Sequence, residues 1–345
     1  MERVTDAYAA AGVDITAGNA AVSLYKKLAE TWKHPDQIGD LGSFNGLFRL
    51  PGDSKRALVA STDGVGTKLL IAAALERYDS IGGDLVNHCV NDILVTNADP
   101  LFFLDYLAVG KLVPEVAAKI VAGVHAACRE NDTALLGGET AEMPGVYDPG
   151  EFDLAGTIVG VVELDAVPKV DTVVSGDAIV ALPAIGLHTN GYSLARKVVP
   201  REELSSVVPG TDGTTFADAL LAPHPSYLPQ VKAVRAVAKI KAMAHITGGG
   251  LIDNVPRALP ENCKAIFEQT RWEVPPLMRE LVRRGDLRHE ERYRTFNMGI
   301  GYTIVVSLGE APRALASAPG AFVAGWIEAR AKGEPAVVVH AARER

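Results

Sequence analysis

Cysteine is scarce in this chain. The three present among 345 residues, Cys89, Cys128 and Cys263, have no paired spacing for zinc or for a disulfide framework. They are expected as small buried apolar groups in a reducing compartment. Long apolar runs are missing too: no segment approaches the span of a membrane helix, and the charged stretch 1–11 has no continuous apolar core of a secretory signal. The expected location is therefore the cytoplasm, with no membrane partner. Basic charge is not in excess either. Lys+Arg 34 against Asp+Glu 42 gives a net charge of -8, which argues against a nucleic-acid partner. The densest basic run, 279–294, is interleaved with Glu280, Asp286, Glu290 and Glu291 and reads as a solvated face. Fixed-period repeats and low-complexity tracts are absent.

What remains is an ordinary α/β composition, 48% hydrophobic and 22% charged, on a chain long enough for two domains with a core each. A turn-rich passage at 168–175 marks the boundary, giving domains 1–168 and 169–345. The stretch STDGVGTK at 61–68 follows an apolar run and opens into another, so it reads as strand, tight turn and helix. Gly64 and Gly66 keep side chains out of the turn, and with Thr67 they leave backbone N–H groups facing outward at a helix start, a seat for phosphate. Asp63 adds a hard oxygen suited to Mg²⁺, and Lys68 a point charge suited to phosphate oxygens. The Walker A spacing is absent.

Other elements follow in order. A helix is expected over 20–32, carrying Lys26 and Lys27 as a solvated pair. The helix 84–97 places Leu85, Val86, Cys89, Val90, Ile93 and Leu94 on one half of its wheel and Asp84, Asn87, His88 and Asn91 on the other, with Asp92 on the border. A strand at 133–136 runs into GGETAEMPG, where paired glycines and the carboxylates Glu139 and Glu142 suit a metal or substrate site or plain structure equally. In the second half, GLHTNGYSL at 186–194 sets His188, Thr189 and Asn190 before a helix start. HITGGG at 245–250, with His245, Thr247, Gly248, Gly249 and Gly250, ends a strand in bare backbone. Two such seats in separate halves suggest phosphate-bearing ligands meeting in a cleft.

Taken together, AGVDITAGNAAV, STDGVGTK, DLVNHCVNDIL, DPLFFLDYLAVGKL, GGETAEMPG, GLHTNGYSL, HITGGG and FNMGIG resemble, in order and over nearly the whole chain, the aminoimidazole ribonucleotide synthetase (phosphoribosylformylglycinamidine cyclo-ligase) family. The resemblance implies an α/β (α+β) two-domain subunit. Its N-terminal mixed sheet with helices would form a barrel across a homodimer, and a C-terminal α/β sandwich would close the cleft. It implies ATP-dependent ring closure of formylglycinamidine ribonucleotide to 5-aminoimidazole ribonucleotide. Asp63 and Asp92, with Glu139 as a third acid, would hold Mg²⁺ on ATP. Lys68 and the Gly64, Gly66 and Thr67 backbone would steady the transferring phosphoryl group, and Lys26 would reach the nucleotide. His188, Thr189, Asn190, His245 and the turn Thr247, Gly248, Gly249, Gly250 would hold the substrate, with His188 as proton shuttle because imidazole titrates near working pH. The chain departs from that pattern at Ser43 and Asn45, where relatives commonly carry glycine, and at His88, where an apolar residue is common and where the wheel points the ring to solvent. A small-molecule kinase of the same fold is the alternative enzyme, and a nucleotide-binding regulatory subunit the alternative non-enzyme.

Overall fold

The computed structural model describes Gly12, residues 15–39 and residues 45–341. Helix α1 (Ile15–Glu30) precedes a six-stranded sheet: β1 (Gln37–Ile38), β2 (Gly46–Arg49), β3 (Arg56–Gly64), β4 (Asp99–Val109), β5 (Ala134–Glu142) and β6 (Phe152–Glu163), in spatial order β1-β2-β3-β6-β4-β5. Neighbours are antiparallel except the β4–β5 pair. Alternation along β6 explains the layering: Leu154, Gly156, Ile158, Gly160 and Val162 are buried on one face, and Ala155, Thr157, Val159 and Val161 are half-buried on the other. Helices α2 (Lys68–Leu75) and α3 (Ile81–Leu94) lie between β3 and β4 in the chain and α4 (Pro114–Glu130) between β4 and β5, and α3 packs on the sheet and on α4. Close approach of α3 to α4 requires Gly82, because a Cβ there would stand 2.3 Å from the Ile120 carbonyl oxygen.

The second half builds its own sheet from β7 (Ala178–Pro183), β8 (Ala242–His245), β9 (Cys263–Glu268), β10 (Ile300–Val306), β11 (Phe322–Ala329) and β12 (Val337–His340), in order β12-β9-β11-β7-β10-β8. Strand β10 is buried throughout and β7 nearly so, as their mostly apolar sequences, broken in β10 only by Thr303, suit strands covered on both faces. Around this sheet lie α5 (Tyr192–Val198), α6 (Phe216–Leu220), α7 (Leu228–Val237), α8 (Gly250–Asn254), α9 (Pro276–Arg284), α10 (His289–Thr295) and α11 (Ala311–Ser317).

Three expectations need correction. The run 279–294 falls in α9 and α10, and Glu280 is buried under Arg283 and Arg284, so that stretch is not simply a solvated face. The strand expected to stop at 136 continues to Glu142, because after a one-residue bulge at Leu136 the two glycines pair with Leu104 and Asp105 of β4. The polar half of α3 does not face water. Asp84, Asn87, His88, Asn91 and Asp92 are all buried, because the second half packs against them. Of the loop 41–48, residues 41–44, with Ser43, lie outside the described residues. Asn45 is buried and donates to the Asp92 carbonyl at 2.7 Å.

Candidate active site

Strand β3 ends at Asp63 and Gly64. The Asp63 Oδ1 accepts the Gly64 N–H at 2.7 Å, and its Oδ2 lies 2.8 Å from His88 Nε2. The same imidazole nitrogen is 3.7 Å from Asp92 Oδ2, which also accepts the Ser61 hydroxyl at 3.1 Å. Asp92 Oδ1 meets His245 Nδ1 at 2.7 Å. On its other side His88 Nδ1 is 2.6 Å from the Thr189 hydroxyl. Five elements of sequence, β3, α3, the loop after β7, the end of β8 and the turn before α2, thus converge on one point. Asp63 and Asp92 are brought together there, Asp92 buried and Asp63 still 44% exposed at the mouth. Burial works against a charge on His88, but Asp63 and then Asp92 outweigh it and lift the ring to about 9. Burial likewise opposes charge on Asp63, and the His88 charge outweighs it, holding the carboxyl below its ordinary value. The turn stands beside the mouth: Gly66 adopts φ +70° against the Thr189 backbone, and the Thr67 hydroxyl reaches Ser193 at 3.5 Å.

Beneath this cluster the rest of the polar face of α3 clamps the segment 222–227. Asp84 Oδ1 accepts the His224 N–H at 2.7 Å, Asn87 donates to the His224 carbonyl at 2.8 Å, and Asn91 donates to the Pro225 carbonyl at 2.9 Å. Asp84 Oδ2 pairs with Lys68 Nζ at 2.6 Å, both side chains fully buried, and the ammonium donates to the Ala222 carbonyl at 2.8 Å. Burial pushes Lys68 down and Asp84 up, each toward its uncharged form, against their mutual attraction.

Several expected roles change on this geometry. Lys68 belongs to the seam between the halves and does not face the glycine turn. Glu139 sits on exposed β5, three strands from Gly64 through Tyr106 and Ala155. That is about 14 Å at ordinary strand spacing, so within one chain it does not join Asp63 and Asp92. Lys26 is exposed on α1. His188, expected to titrate, is wholly buried at φ 63°, stacked on His224 with ring centroids 4.1 Å apart, and burial drives its pKa well below the ordinary value. His245 is likewise buried, against Asp92. In the 247–250 turn, Thr247 and Gly248 remain accessible, whereas Gly250 has φ +57° and no room for a Cβ beside the Tyr293 carbonyl. Packing alone therefore accounts for that glycine. His88, Asp84 and His224 were missed. For Asp84 and His88 the signal was the spacing 84, 88, 92, three polar side chains at successive i, i+4 positions on one helix face, whereas His224, between α6 and α7, had no such pattern around it.

Residues 43–162 match the family described as AIR synthase related protein, N-terminal domain, and residues 174–338 match its C-terminal domain. The chain belongs to the AIR synthase family. Among relatives, the phosphoribosylformylglycinamidine cyclo-ligase of Methylobacillus flagellatus is 46% identical over 345 residues, covering 98% of this chain and 99% of that protein. The protein of that name from Geobacter sulfurreducens is 46% identical over 337 residues, covering 95% and 96%. The AIR synthase fold is also seen in the hydrogenase maturation protein HypE of E. coli, at TM-score 0.61 and 20% identity over 91% of both chains. Thiamine monophosphate kinase of Aquifex aeolicus shares it at TM-score 0.61 and 16% identity, over 93% of this chain and 96% of that one. No helix among the described residues is long and apolar enough to cross a membrane.

Proposed function

We propose that the chain closes the imidazole ring of 5-aminoimidazole ribonucleotide from formylglycinamidine ribonucleotide, consuming ATP and releasing ADP and phosphate. It is a cytoplasmic C–N bond-forming ligase of de novo purine synthesis. The observation that carries this reading is the meeting of Asp63, Asp92 and the glycine turn with the 188–193 loop across the seam, in a chain matched almost end to end by cyclo-ligases.

An amide oxygen is a poor leaving group, so it must first become a phosphate ester. The formyl oxygen attacks the γ-phosphorus and the bond to ADP breaks. The amidine-derived nitrogen then attacks the formyl carbon, a C–N bond forms, and the C–O bond breaks with the electron pair leaving on phosphate. Such chemistry rests on positioning and charge neutralisation. The glycine turn cradles the transferring phosphoryl group with the N–H groups of Gly66 and Thr67, those of Gly64 and Val65 being bonded to Asp63 and to the Leu154 carbonyl, and half-buried Asn190 and Ser193 with the Thr247 and Gly248 surface hold the substrate. Lys26, exposed on α1, is assigned to the nucleotide by the family likeness. Asp63 and Asp92, with the Ser61 hydroxyl, offer the hard oxygens that suit Mg²⁺. When bound, that ion neutralises phosphate charge. His88, lifted to about 9, holds a positive charge beside both carboxylates, aligns them, and keeps the Asp63 carboxyl below its ordinary value.

Domain 1–168 provides nucleotide binding and dimerisation, and domain 169–345 closes the cleft. The dimer reading is supported by a face and edge of the first sheet that the described residues leave uncovered, where Leu104, Tyr106 and Leu136 are exposed at 39%, 38% and 63%.

Release of ADP tests the function, with formylglycinamidine ribonucleotide, thiamine monophosphate and selenide offered in parallel. Turnover only with the first is expected. Turnover with thiamine monophosphate would make the chain a kinase of this fold, and ATP binding without turnover on any of them a regulatory subunit.

A further inference from the structure

A cavity of about 690 Å³ in the second half takes no part in the site described above. It lies between the 269–274 loop after β9, α9, α10 and Met298, and its volume falls in the range of about 300–1,000 Å³ typical of small-molecule sites. Its apolar lining includes Trp272, Val282 and Met298. Trp272 is fixed there: its Nε1–H donates to the Met298 carbonyl at 2.9 Å, and its ring stacks on Phe322 with centroids 6.1 Å apart. The charged lining is three arginines, Arg271, Arg279 and Arg292, against one carboxylate, Glu273. That is a local excess of positive charge in a chain whose net charge is -8. Glu273 faces Arg279 at 3.4 Å. Arg271 and Arg292 have no carboxylate partner among the described residues, whereas their neighbours Arg283, Arg284, Arg288 and Arg294 each pair with a glutamate or aspartate. The Arg271 guanidinium is 5.7 Å from the Trp326 ring centroid, a cation–π contact that uses none of its N–H donors. Arg292 Nε is buried with no hydrogen-bond partner. A guanidinium does not give up its proton, so that N–H is a charged donor without an acceptor, a costly state for a buried group.

Guanidinium N–H groups match phosphate oxygens in a fork, and a phosphate monoester, at about -2 charge, balances two unpaired arginines better than one carboxylate does. The apolar lining and the volume beyond the charged rim suit an organic portion that inorganic phosphate lacks. We propose that this cavity binds a small organic phosphate monoester of up to nucleotide size, with Arg271 and Arg292 on the phosphate and the organic portion against Trp272, Val282 and Met298. Helix α10 connects the cavity to the substrate surface. Its Arg292 and Tyr293 line the cavity, the Tyr293 carbonyl leaves no room for a Cβ at Gly250, and Arg294 pairs with Asp253 of α8 at 3.4 Å. A ligand that holds Arg292 therefore holds α10 and steadies the 247–250 turn. Binding here does not rest on the cyclo-ligase reading.

Calorimetric titration of the full-length chain with AMP and with ribose 5-phosphate tests the site, comparing wild type with Arg271→Gln and Arg292→Gln, singly and together. Neither residue belongs to the phosphoryl site, so binding of ATP with Mg²⁺ reports whether that site is intact in each variant, and Tm reports whether each is folded. An ester bound at the ATP site would bind all variants alike. The component expected from the cavity is the one weakened about tenfold by each substitution and about 100-fold by the pair. Inorganic phosphate should bind the cavity at least about tenfold more weakly than the tighter ester, and adenosine not at all. Hydrogen exchange should show that ester protecting α10 and the 269–274 loop in wild type and not in the double variant. Isotherms and exchange that are the same in wild type and a folded double variant overturn the site, as does wild type that binds neither ester. Inorganic phosphate binding as tightly as the esters overturns the organic ligand. If Arg292→Gln does not fold, Arg271→Gln, at an exposed position, carries the comparison alone.

Discussion

Lys68 shows how burial reassigns a residue. As a lysine four positions after a Gly it reads as a phosphate ligand, yet its ammonium lies fully buried on Asp84 and the Ala222 carbonyl, tying the glycine-turn helix to the second half. Breaking a buried pair strands the remaining charge, so Lys68→Met should cost about 3–5 kcal/mol in denaturant unfolding. The double variant Lys68→Met with Asp84→Asn leaves no stranded charge and keeps an acceptor for the His224 N–H, so it should recover most of that loss. An additive double variant would mean that the two side chains do not interact. Asp63 stands in contrast: half-exposed at the mouth, it is where a carboxylate can meet a ligand. Asp63→Asn should lower kcat about 10²–10³-fold, the scale of losing one electrostatic contact to the transition state, with Tm little changed. Near-normal turnover of Asp63→Asn in the presence of Mg²⁺ and ATP would remove it from the site.

At the scale of elements, α3 was legible as a helix and half legible in its role. Its apolar stripe, Leu85, Val86, Cys89, Val90, Ile93 and Leu94, is the face that packs on the first sheet. The opposite face, with Asp84, His88 and Asn91, was read as solvated because a polar stripe on one helix cannot reveal that another half of the chain will cover it. The meeting of Asp63 with Asp92 was expected from the family resemblance, whereas the partners of both, His88 and His245, depend on tertiary contacts that no local pattern carries. Strand positions were readable because period-two alternation and apolar runs have few other causes: strands read from the sequence at 264–267, 301–306, 321–326 and 336–339 are β9 (Cys263–Glu268), β10 (Ile300–Val306), β11 (Phe322–Ala329) and β12 (Val337–His340). The α9–α10 region was misread for the same reason as α3. Glu280 in α9 accepts from Arg283 and Arg284, and these bonds, Arg283 first, hold its carboxyl down from 4.5 to about 2. A depressed carboxyl contributes stability above its unfolded value and loses it as pH falls toward the folded one. Urea unfolding between pH 5 and pH 2 should therefore show a loss of stability that Glu280→Gln flattens. An identical pH slope in the variant would show that the ion pairs contribute nothing.

For the whole molecule, among the described residues the first sheet is covered by helices on one face, and its other face and its β5 edge are open. A long open edge with exposed Leu104, Tyr106 and Leu136 is the kind of surface that a second copy covers. Sedimentation velocity should return a dimer mass for the wild type and a monomer for Tyr106→Lys with Leu136→Lys, and a wild-type monomer at micromolar concentration would remove the barrel. The two halves meet through α3 and the 222–227 segment, so the site exists only while they are packed together. The most direct measurement is the fate of the formyl oxygen. With formylglycinamidine ribonucleotide carrying ¹⁸O in its formyl group, the inorganic phosphate released during turnover should hold one ¹⁸O atom per ring closed. Unlabelled phosphate, with the ¹⁸O found in water, is incompatible with ring closure through a phosphorylated amide.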